Sequence, residues 1–156
     1  MTDEFKIYAA EQYALHIRSM RRRVTAAQMD IDDMRESVCG VSGVAYSDMP
    51  GNPNAYGDAI PDGIAKLHEM IADYVTQLVE WMDERYEAKQ CFKQLDNRSY
   101  ELLTFYYSMG LTWEQTADRM GYTSEHVQRN LKPVALRMLY TVMPEQWRRN
   151  LPNAMD

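Results

Sequence analysis

The chain has 156 residues, of which 46% are hydrophobic and 26% charged, and its formal net charge is −6. This composition indicates a folded protein of one ordinary domain, or a small domain with an arm, and argues against a disordered chain. No run of about 18 apolar residues is present, and the N-terminus lacks the basic start and apolar centre of a signal peptide, which predicts a cytoplasmic protein without a membrane-spanning helix.

The first predicted element is a long helix from about Asp3 to Ser37, a segment that contains no proline or glycine. Arg21, Arg22 and Arg23 are interpreted as part of its solvated face, in preference to a phosphate-binding patch. Its apolar residues are separated by alternating steps of four and three residues, the pattern of a helix that packs lengthwise against another helix. They are Tyr13, Ile17, Met20, Val24, Ala27, Ile31, Met34 and Val38.

A turn-rich connector is predicted at about residues 39–61, because the stretch from Cys39 to Gly63 contains five glycines and three prolines. A second long helix begins near Pro61 and extends to about residue 95. Two long helices joined in this way predict an antiparallel helical hairpin, an arm that occupies residues 1–97. Because two helices alone make a thin core, we expect a homo-oligomer formed through this arm. The apolar residues of the second helix are Ile64, Leu67, Ile71, Tyr74, Leu78, Trp81, Ala88, Phe92 and Leu95.

Three further helices are predicted over residues 98–149. The first has its N-cap at residue 96 or 97 and ends at Gly110. Thr112, followed three residues later by Gln115, forms the capping-box pattern that begins a short second helix, residues 113–120. The third is capped by Thr123 or Ser124 and continues through Leu139, and a short helical turn follows near residues 145–149.

The last two of these three helices have the arrangement of a helix-turn-helix. Ala117 stands where the two helices must approach closely, and Gly121 stands in the turn, where positive φ is easiest for glycine. Met120, Tyr122 and Val127 are expected to pack inward and to fix the angle between the helices. The expected fold is therefore all-α, a long hairpin followed by a three-helix helix-turn-helix domain.

The charge is spread unevenly along the chain. Residues 1–97 contain 10 basic and 17 acidic residues, a balance of −7. Residues 98–149 contain seven basic and five acidic residues, a balance of +2. The segment that carries the helix-turn-helix pattern is therefore mildly basic, as a nucleic-acid contact surface requires.

About residues 99–140 resemble the fourth region of bacterial sigma factors. More closely, they resemble small sigma-region-four-like regulators encoded by phages and prophages of Gram-positive bacteria. This resemblance implies a domain that binds promoter DNA in a bacterial host cell and controls transcription, often of late phage genes. The residues that carry it are Thr112, Trp113, Glu114, Ala117, Met120, Gly121, Tyr122, Ser124 and Val127.

Three residues depart from the family's pattern. Thr116 and Asn130 stand where it usually has isoleucine or leucine facing the core, and Leu131 is expected to take over one of these packing roles. Pro133 lies inside the last long helix, where proline removes a hydrogen bond and clashes with the preceding turn. We expect the resulting kink to fall after the residues that read DNA.

In such motifs the first turns of the second helix, here the helix from about Ser124, enter the major groove. Gln128 is then expected to pair with adenine, Arg129 with guanine, and Glu125 with the amino group of cytosine. Thr112, Thr123 and Lys132 are the candidate phosphate contacts. The complete set of predicted DNA-binding residues is Thr112, Thr123, Ser124, Glu125, Gln128, Arg129 and Lys132.

The expected function is thus a sequence-specific transcriptional regulator that binds double-stranded DNA. A balance of +2 implies modest non-specific affinity, so dimerisation or host RNA polymerase is expected to add contacts. The alternative is a DNA-packaging protein like a phage terminase small subunit, or a structural adaptor with the same motif. The C-terminal position of the motif favours the regulator.

No enzyme, cofactor or metal site is predicted. The sequence has no catalytic Ser/His/Asp or Cys/His arrangement, no phosphate-binding glycine loop and no metal-ligand spacing. Cys39 and Cys91 are expected to be unpaired thiols on half-buried helices.

Overall fold

The computed structural model of the protein describes the backbone of residues 2–44 and 59–149, and the side chains of residues 2–38 and 61–148. Within these residues every regular element is helical and no strand occurs, which confirms the predicted all-α class. None of the helices in this part of the chain combines the length and the apolar character needed to cross a membrane.

Six helical segments, α1 to α6, follow one another along the described chain. Two of them, α3 and α5, contain a wider π-helical turn. Their bounds are Asp3–Val44 for α1; Ala59–Phe92 for α2; Asn97–Leu102 followed by the π turn Leu103–Ser108 for α3; Trp113–Met120 for α4; Ser124–His126, the π turn Val127–Leu131 and Lys132–Val142 for α5; and Glu145–Arg149 for α6.

The long helices extend further into the predicted connector than the sequence indicated. α1 continues past its expected end at Ser37 to Val44, through Gly40 and Gly43. A glycine inside a helix costs only about 1 kcal/mol relative to alanine, so two of them do not end a long helix. The rest of the predicted connector, residues 45–58, lies outside the described residues.

The described residues divide into two compact units. One unit consists of residues 2–22 together with residues 81–149, and the other consists of residues 23–80. This division differs from the boundary predicted after residue 97. The reason is that the first turns of α1 and the last turns of α2 share a hydrophobic core with α3, α4 and α5.

The core of the first unit contains three small residues that the predicted apolar pattern of α1 omitted. Ala9, Ala10 and Ala14 are completely buried, beside the predicted Tyr13 and Ile17. Alanines at these positions allow neighbouring helices to approach α1 closely. The buried hydrophobic residues of this core are Ala9, Ala10, Tyr13, Ala14, Ile17, Ala88, Cys91, Phe92, Leu102, Leu103, Tyr107, Ala117, Val127, Leu131, Ala135, Leu136, Leu139 and Met143.

Among the described residues, Arg18 of α1 is the one charged residue that is buried. Its guanidinium donates hydrogen bonds to the carbonyl oxygens of Tyr106 and of Leu111, the latter at 2.9 Å, and lies 4.0 Å from the centroid of the Tyr106 ring. One turn later on α1, Arg21 donates to the carbonyl oxygen of Ser108 at 3.2 Å. The two arginines therefore satisfy carbonyl groups at and just beyond the C-terminal end of α3, where positive charge is favourable.

A series of stacked side chains continues from Arg18. The rings of Tyr106 and Trp113 are parallel to within 10°, with their centroids 3.6 Å apart. The ammonium of Lys132 lies 5.6 Å from the centroid of the Trp113 ring and 2.7 Å from a carboxylate oxygen of Glu11. Because Glu11 and Arg18 are both on α1, this series begins and ends on the same helix and ties it to α3, α4 and α5.

The unit of residues 23–80 has much less buried apolar surface. Val24 is its buried hydrophobic residue among those described. The hydroxyl of Tyr74 on α2 lies 3.5 Å from the side-chain oxygen of Gln28 on α1. Near the start of α2, a Cβ atom added to Gly63 would lie 3.2 Å from a methyl group of Val38, so the two helix segments are close at this point.

Replacing Arg18 with alanine is expected to lower the free energy of unfolding by about 2–4 kcal/mol, because two carbonyl groups lose a charged donor and Tyr106 loses a cation over its ring. Urea unfolding followed by circular dichroism measures this loss. The control is Arg22→Ala, which removes an exposed arginine from the same helix and is expected to change stability by less than about 0.5 kcal/mol. Equal effects of the two substitutions would contradict the role given to Arg18.

Candidate functional site

A short turn with well-defined caps joins α4 to α5. The Thr112 hydroxyl accepts a hydrogen bond from the Gln115 N–H at 3.1 Å, and the Gln115 side chain accepts one from the Thr112 N–H at 3.0 Å. At the other end of α4, Gly121 has a φ of +78°. The hydroxyl of Thr123 then accepts from the His126 N–H at 3.2 Å and begins α5. The predicted caps and the predicted limits of α4 are confirmed.

The packing between the two helices follows the predicted pattern with one exception. Ala117 and Val127 are buried as expected, and Met120 is half-buried. Tyr122, expected to pack inward, is 38% exposed, so that prediction is wrong. Its ring instead lies 5.2 Å from the His126 ring, and a tyrosine ring can cover other surface groups while its hydroxyl stays in water.

The residues that depart from the family's pattern are accommodated in different ways. Thr116 is completely buried, and its hydroxyl oxygen has no hydrogen-bond partner in the described structure. Asn130 is exposed, and its amide nitrogen lies 2.9 Å from Nδ1 of His126. Leu131 is buried and takes the packing role that the sequence predicted for it.

The helix α5 changes its hydrogen-bond pattern before Pro133. In the π turn Val127–Leu131, the N–H of Lys132 bonds to the carbonyl oxygen of Val127, five residues earlier. The wider turn gives room for a proline ring that would otherwise clash with the carbonyl group of the preceding turn. The disturbance was expected after the DNA-reading residues, but it includes Gln128 and Arg129.

The exposed face of the first turns of α5 carries three consecutive side-chain pairs, each between residues four apart. They hold the polar groups of this face in defined orientations, and one of them neutralises an arginine whose side chain is 77% exposed. The pairs are Ser124 with Gln128 at 2.9 Å, Glu125 with Arg129 at 2.9 Å, and His126 with Asn130 at 2.9 Å.

Lys132 is placed differently from the other predicted DNA-binding residues. Thr112, Thr123, Glu125, Gln128 and Arg129 are exposed and Ser124 is half-buried. The side chain of Lys132 was expected to point outward, but it is 27% exposed because its ammonium is held by the carboxylate of Glu11 and lies near the ring of Trp113. These partners come from distant parts of the chain and left no local signal in the sequence.

Arg98 is a basic residue near this surface that the sequence reasoning did not assign to it. It lies in the first turn of α3, and its guanidinium is 5.7 Å from the centroid of the Tyr122 ring. The sequence does contain a local indication that Arg98 is unusual, because a cation in the first turn of a helix opposes the helix dipole. Asp96, the N-cap of α3, has the favourable sign there, and hydrogen bonding from Ser99 lowers the pKa of its carboxyl.

Within the described part of the chain, no group of three or more His, Cys, Asp or Glu side chains is suited to hold a metal ion. Cys91 is an unpaired buried thiol, and burial raises its pKa. The side chain of Cys39 lies outside the described residues. His16 and Glu84, at 2.9 Å, are a surface pair on α1 and α2.

The sequence matches no protein-family model, and no curated protein or solved structure was found that is similar to it. The resemblance of residues 99–140 to sigma region four therefore stays a prediction, as does the DNA binding that it implies. The capped helices and the polar face of α5 are observations on this chain alone.

Thr116→Val is expected to leave the free energy of unfolding unchanged or to raise it by up to about 1 kcal/mol, because it removes a buried hydroxyl without a partner and keeps the shape of the side chain. Thermal and urea unfolding measure this. Thr116→Ser is the matched variant, since it keeps the hydroxyl and removes the methyl group, and it is expected to cost about 1 kcal/mol. A clear loss of stability in the valine variant would contradict the prediction.

Proposed function

We propose that this protein is a sequence-specific transcriptional regulator that binds double-stranded DNA and reads a promoter or operator with the first turns of α5. The observation that supports this most is the polar face formed by exposed Glu125, Gln128 and Arg129 beside half-buried Ser124, on a helix whose start is capped and follows a short glycine turn. A helix-turn-helix presents its second helix to the major groove in this manner. The sigma-like residues of α4 and α5 favour a phage-encoded protein of this class.

Three side chains are proposed to read bases. Arg129 donates to the two acceptors of guanine, Glu125 accepts from the amino group of cytosine, and Gln128 pairs with adenine. In the free protein Arg129 is bound to Glu125, and Gln128 donates to Ser124. An exposed helical ion pair is worth only about 0.3–0.5 kcal/mol, so the pair between Glu125 and Arg129 opens for a base at little cost.

Phosphate contacts are proposed at the starts of α4 and α5, where the Thr112 and Thr123 hydroxyls and nearby backbone N–H groups lie at the surface. Lys132 contributes less in this scheme, because a phosphate would have to compete with Glu11 for it. With a balance of only +2 over residues 98–149, one copy neutralises few phosphates. A second copy, or host RNA polymerase, then supplies the remaining DNA contacts.

The second copy is proposed to bind through the arm, with α1 and α2 as an antiparallel hairpin. The unit of residues 23–80 leaves large apolar side chains in water: Ile71 is 40% exposed, Val75 49% and Val79 51%. These three residues are four apart on α2 and form one face of the helix. Covering that face with the same face of a second copy removes apolar surface from water, and each Å² removed stabilises the dimer by about 25 cal/mol.

Selection of binding sites from a random DNA pool is expected to enrich a defined sequence, arranged as paired half-sites. The double variant Gln128→Ala/Arg129→Ala is expected to lose this enrichment, because each good base contact contributes about 1–3 kcal/mol of discrimination. Its non-specific binding should persist. Arg137→Ala is the control for the lost charge, since Arg137 lies later in α5 and pairs with Asp3. A wild-type protein that enriches no sequence would overturn the proposal.

Val75→Asp is expected to dissociate the oligomer, because it places a charge in the centre of the apolar face of α2. Sedimentation equilibrium gives the mass of each variant. Thr76→Asp is the matched control, because the neighbouring Thr76 is also exposed but lies off that face. A monomeric wild-type protein would contradict this part of the proposal, and a ring of eight or more subunits would instead support the DNA-packaging alternative.

A further inference from the structure

Three side chains lie next to one another in a series beside the proposed reading face, here called the stack, and its two rings are tilted by 43° to each other. The guanidinium of Arg98 lies 5.7 Å from the centroid of the Tyr122 ring, and that ring lies 5.2 Å from the ring of His126. Arg98 is on α3, Tyr122 is in the turn between α4 and α5, and His126 is in the first turn of α5. The stack therefore joins the start of α3 to the start of the proposed reading helix.

The charge of Arg98 is available to an external anion. Arg129, Lys132 and Arg137 each form an ion pair with a carboxylate. Arg98 is exposed and makes no such pair with any of the described residues; its contact is with the face of Tyr122. An aromatic face orients a guanidinium and leaves the N–H groups at the edge of its plane free to donate.

The contact between Arg98 and Tyr122 places a positive charge and an aromatic ring together at the surface. A cation in the first turn of α3 opposes the helix dipole, and the nearby N-cap carboxylate of Asp96 offsets this in part. Tyr122 leaves 38% of its surface exposed instead of packing between α4 and α5. The exposed positions of Arg98 and Tyr122 are suited to contact with a negatively charged ligand.

We propose that Arg98, oriented by Tyr122, contacts a phosphate group of the DNA backbone at the edge of the groove that α5 enters. This inference rests on the proposed function. The start of a reading helix enters a groove with a phosphate backbone on each side. A cation held beside that start therefore lies closer to the backbone than to the bases. A guanidinium donates two parallel hydrogen bonds to phosphate oxygens, and the contact carries no sequence information.

The test is the salt dependence of DNA binding, measured by fluorescence anisotropy on a selected site and on an unrelated duplex. Each phosphate contact contributes about 0.9 to the slope of log K against log salt concentration. Arg98→Ala is expected to reduce the slope by about 0.9 on both duplexes and to weaken binding to both by the same factor. The sequence enriched from a random pool should stay unchanged.

Variants of both residues separate the charge from the stacking. Arg98→Gln is expected to reproduce the loss of slope with an uncharged polar side chain. Tyr122→Phe keeps the ring and is expected to bind like the wild type, whereas Tyr122→Ala is expected to weaken binding to both duplexes. Arg137→Ala removes an equal charge from an ion pair elsewhere and is expected to leave the slope unchanged. Circular dichroism and thermal unfolding confirm that each variant is folded.

The outcomes distinguish the two proposals. If the wild type binds DNA but folded Arg98→Ala and Arg98→Gln keep its slope, the proposed phosphate contact of Arg98 is wrong and the proposed function stands. If Arg98→Ala and Arg137→Ala reduce the slope equally, the proposed phosphate contact of Arg98 is also wrong, because the loss then reflects net charge alone. If the wild type binds neither duplex, the proposed function and the proposed phosphate contact of Arg98 are both wrong.

Discussion

The buried guanidinium of Arg18 replaces the water that would otherwise solvate the end of α3. A buried cation costs several kcal/mol unless its donors and its charge are compensated. Among the described residues no carboxylate forms an ion pair with it; the carbonyl oxygens of Tyr106 and Leu111 accept its hydrogen bonds, and the ring of Tyr106 covers its face. The arrangement is stable only while α1, the end of α3 and the segment before α4 keep their relative positions, so a single side chain specifies the geometry of three chain segments.

The position of α5 depends on this arrangement through the aromatic stack. Trp113 begins α4 and rests on Tyr106, so the ring that receives Arg18 also sets where α4 starts. The buried residues Ala117 and Val127 then pack α4 and α5 into the same core. The first turns of α1, predicted as part of an arm, therefore belong to the unit that presents the polar face of α5. Residues of α1 therefore support the helices that carry the proposed reading surface, although they are not part of that surface.

Sequence alone predicted what is determined by neighbours in the chain. The cap at Thr112, the positive φ of Gly121 and a cap for α5 at Thr123 or Ser124 follow from residues three or four positions away; the structure has Thr123 as this cap. The burial of Val127 followed from its position in the helix-turn-helix pattern.

What sequence missed depends on partners that only the folded chain brings together. Lys132 turns from the surface because Glu11, more than a hundred positions earlier, offers a carboxylate. Tyr122 stays outside because Arg98 and His126 give its ring partners at the surface. The π turn makes room for the ring of Pro133, and the residues around this proline do not by themselves predict which backbone hydrogen bonds will shift.

The unit that contains α3, α4 and α5 is discontinuous in sequence, and this affects the order in which the protein folds during synthesis. Arg18 reaches its acceptor on Tyr106 across 88 positions of chain, and closing so long a loop is slow compared with forming local helices. At about 5–20 residues per second, the first helix waits on the order of 10 s on the ribosome before its partners have emerged. During that time the face of α1 formed by Ala10, Tyr13 and Ile17 lacks the helices that bury it in the folded protein.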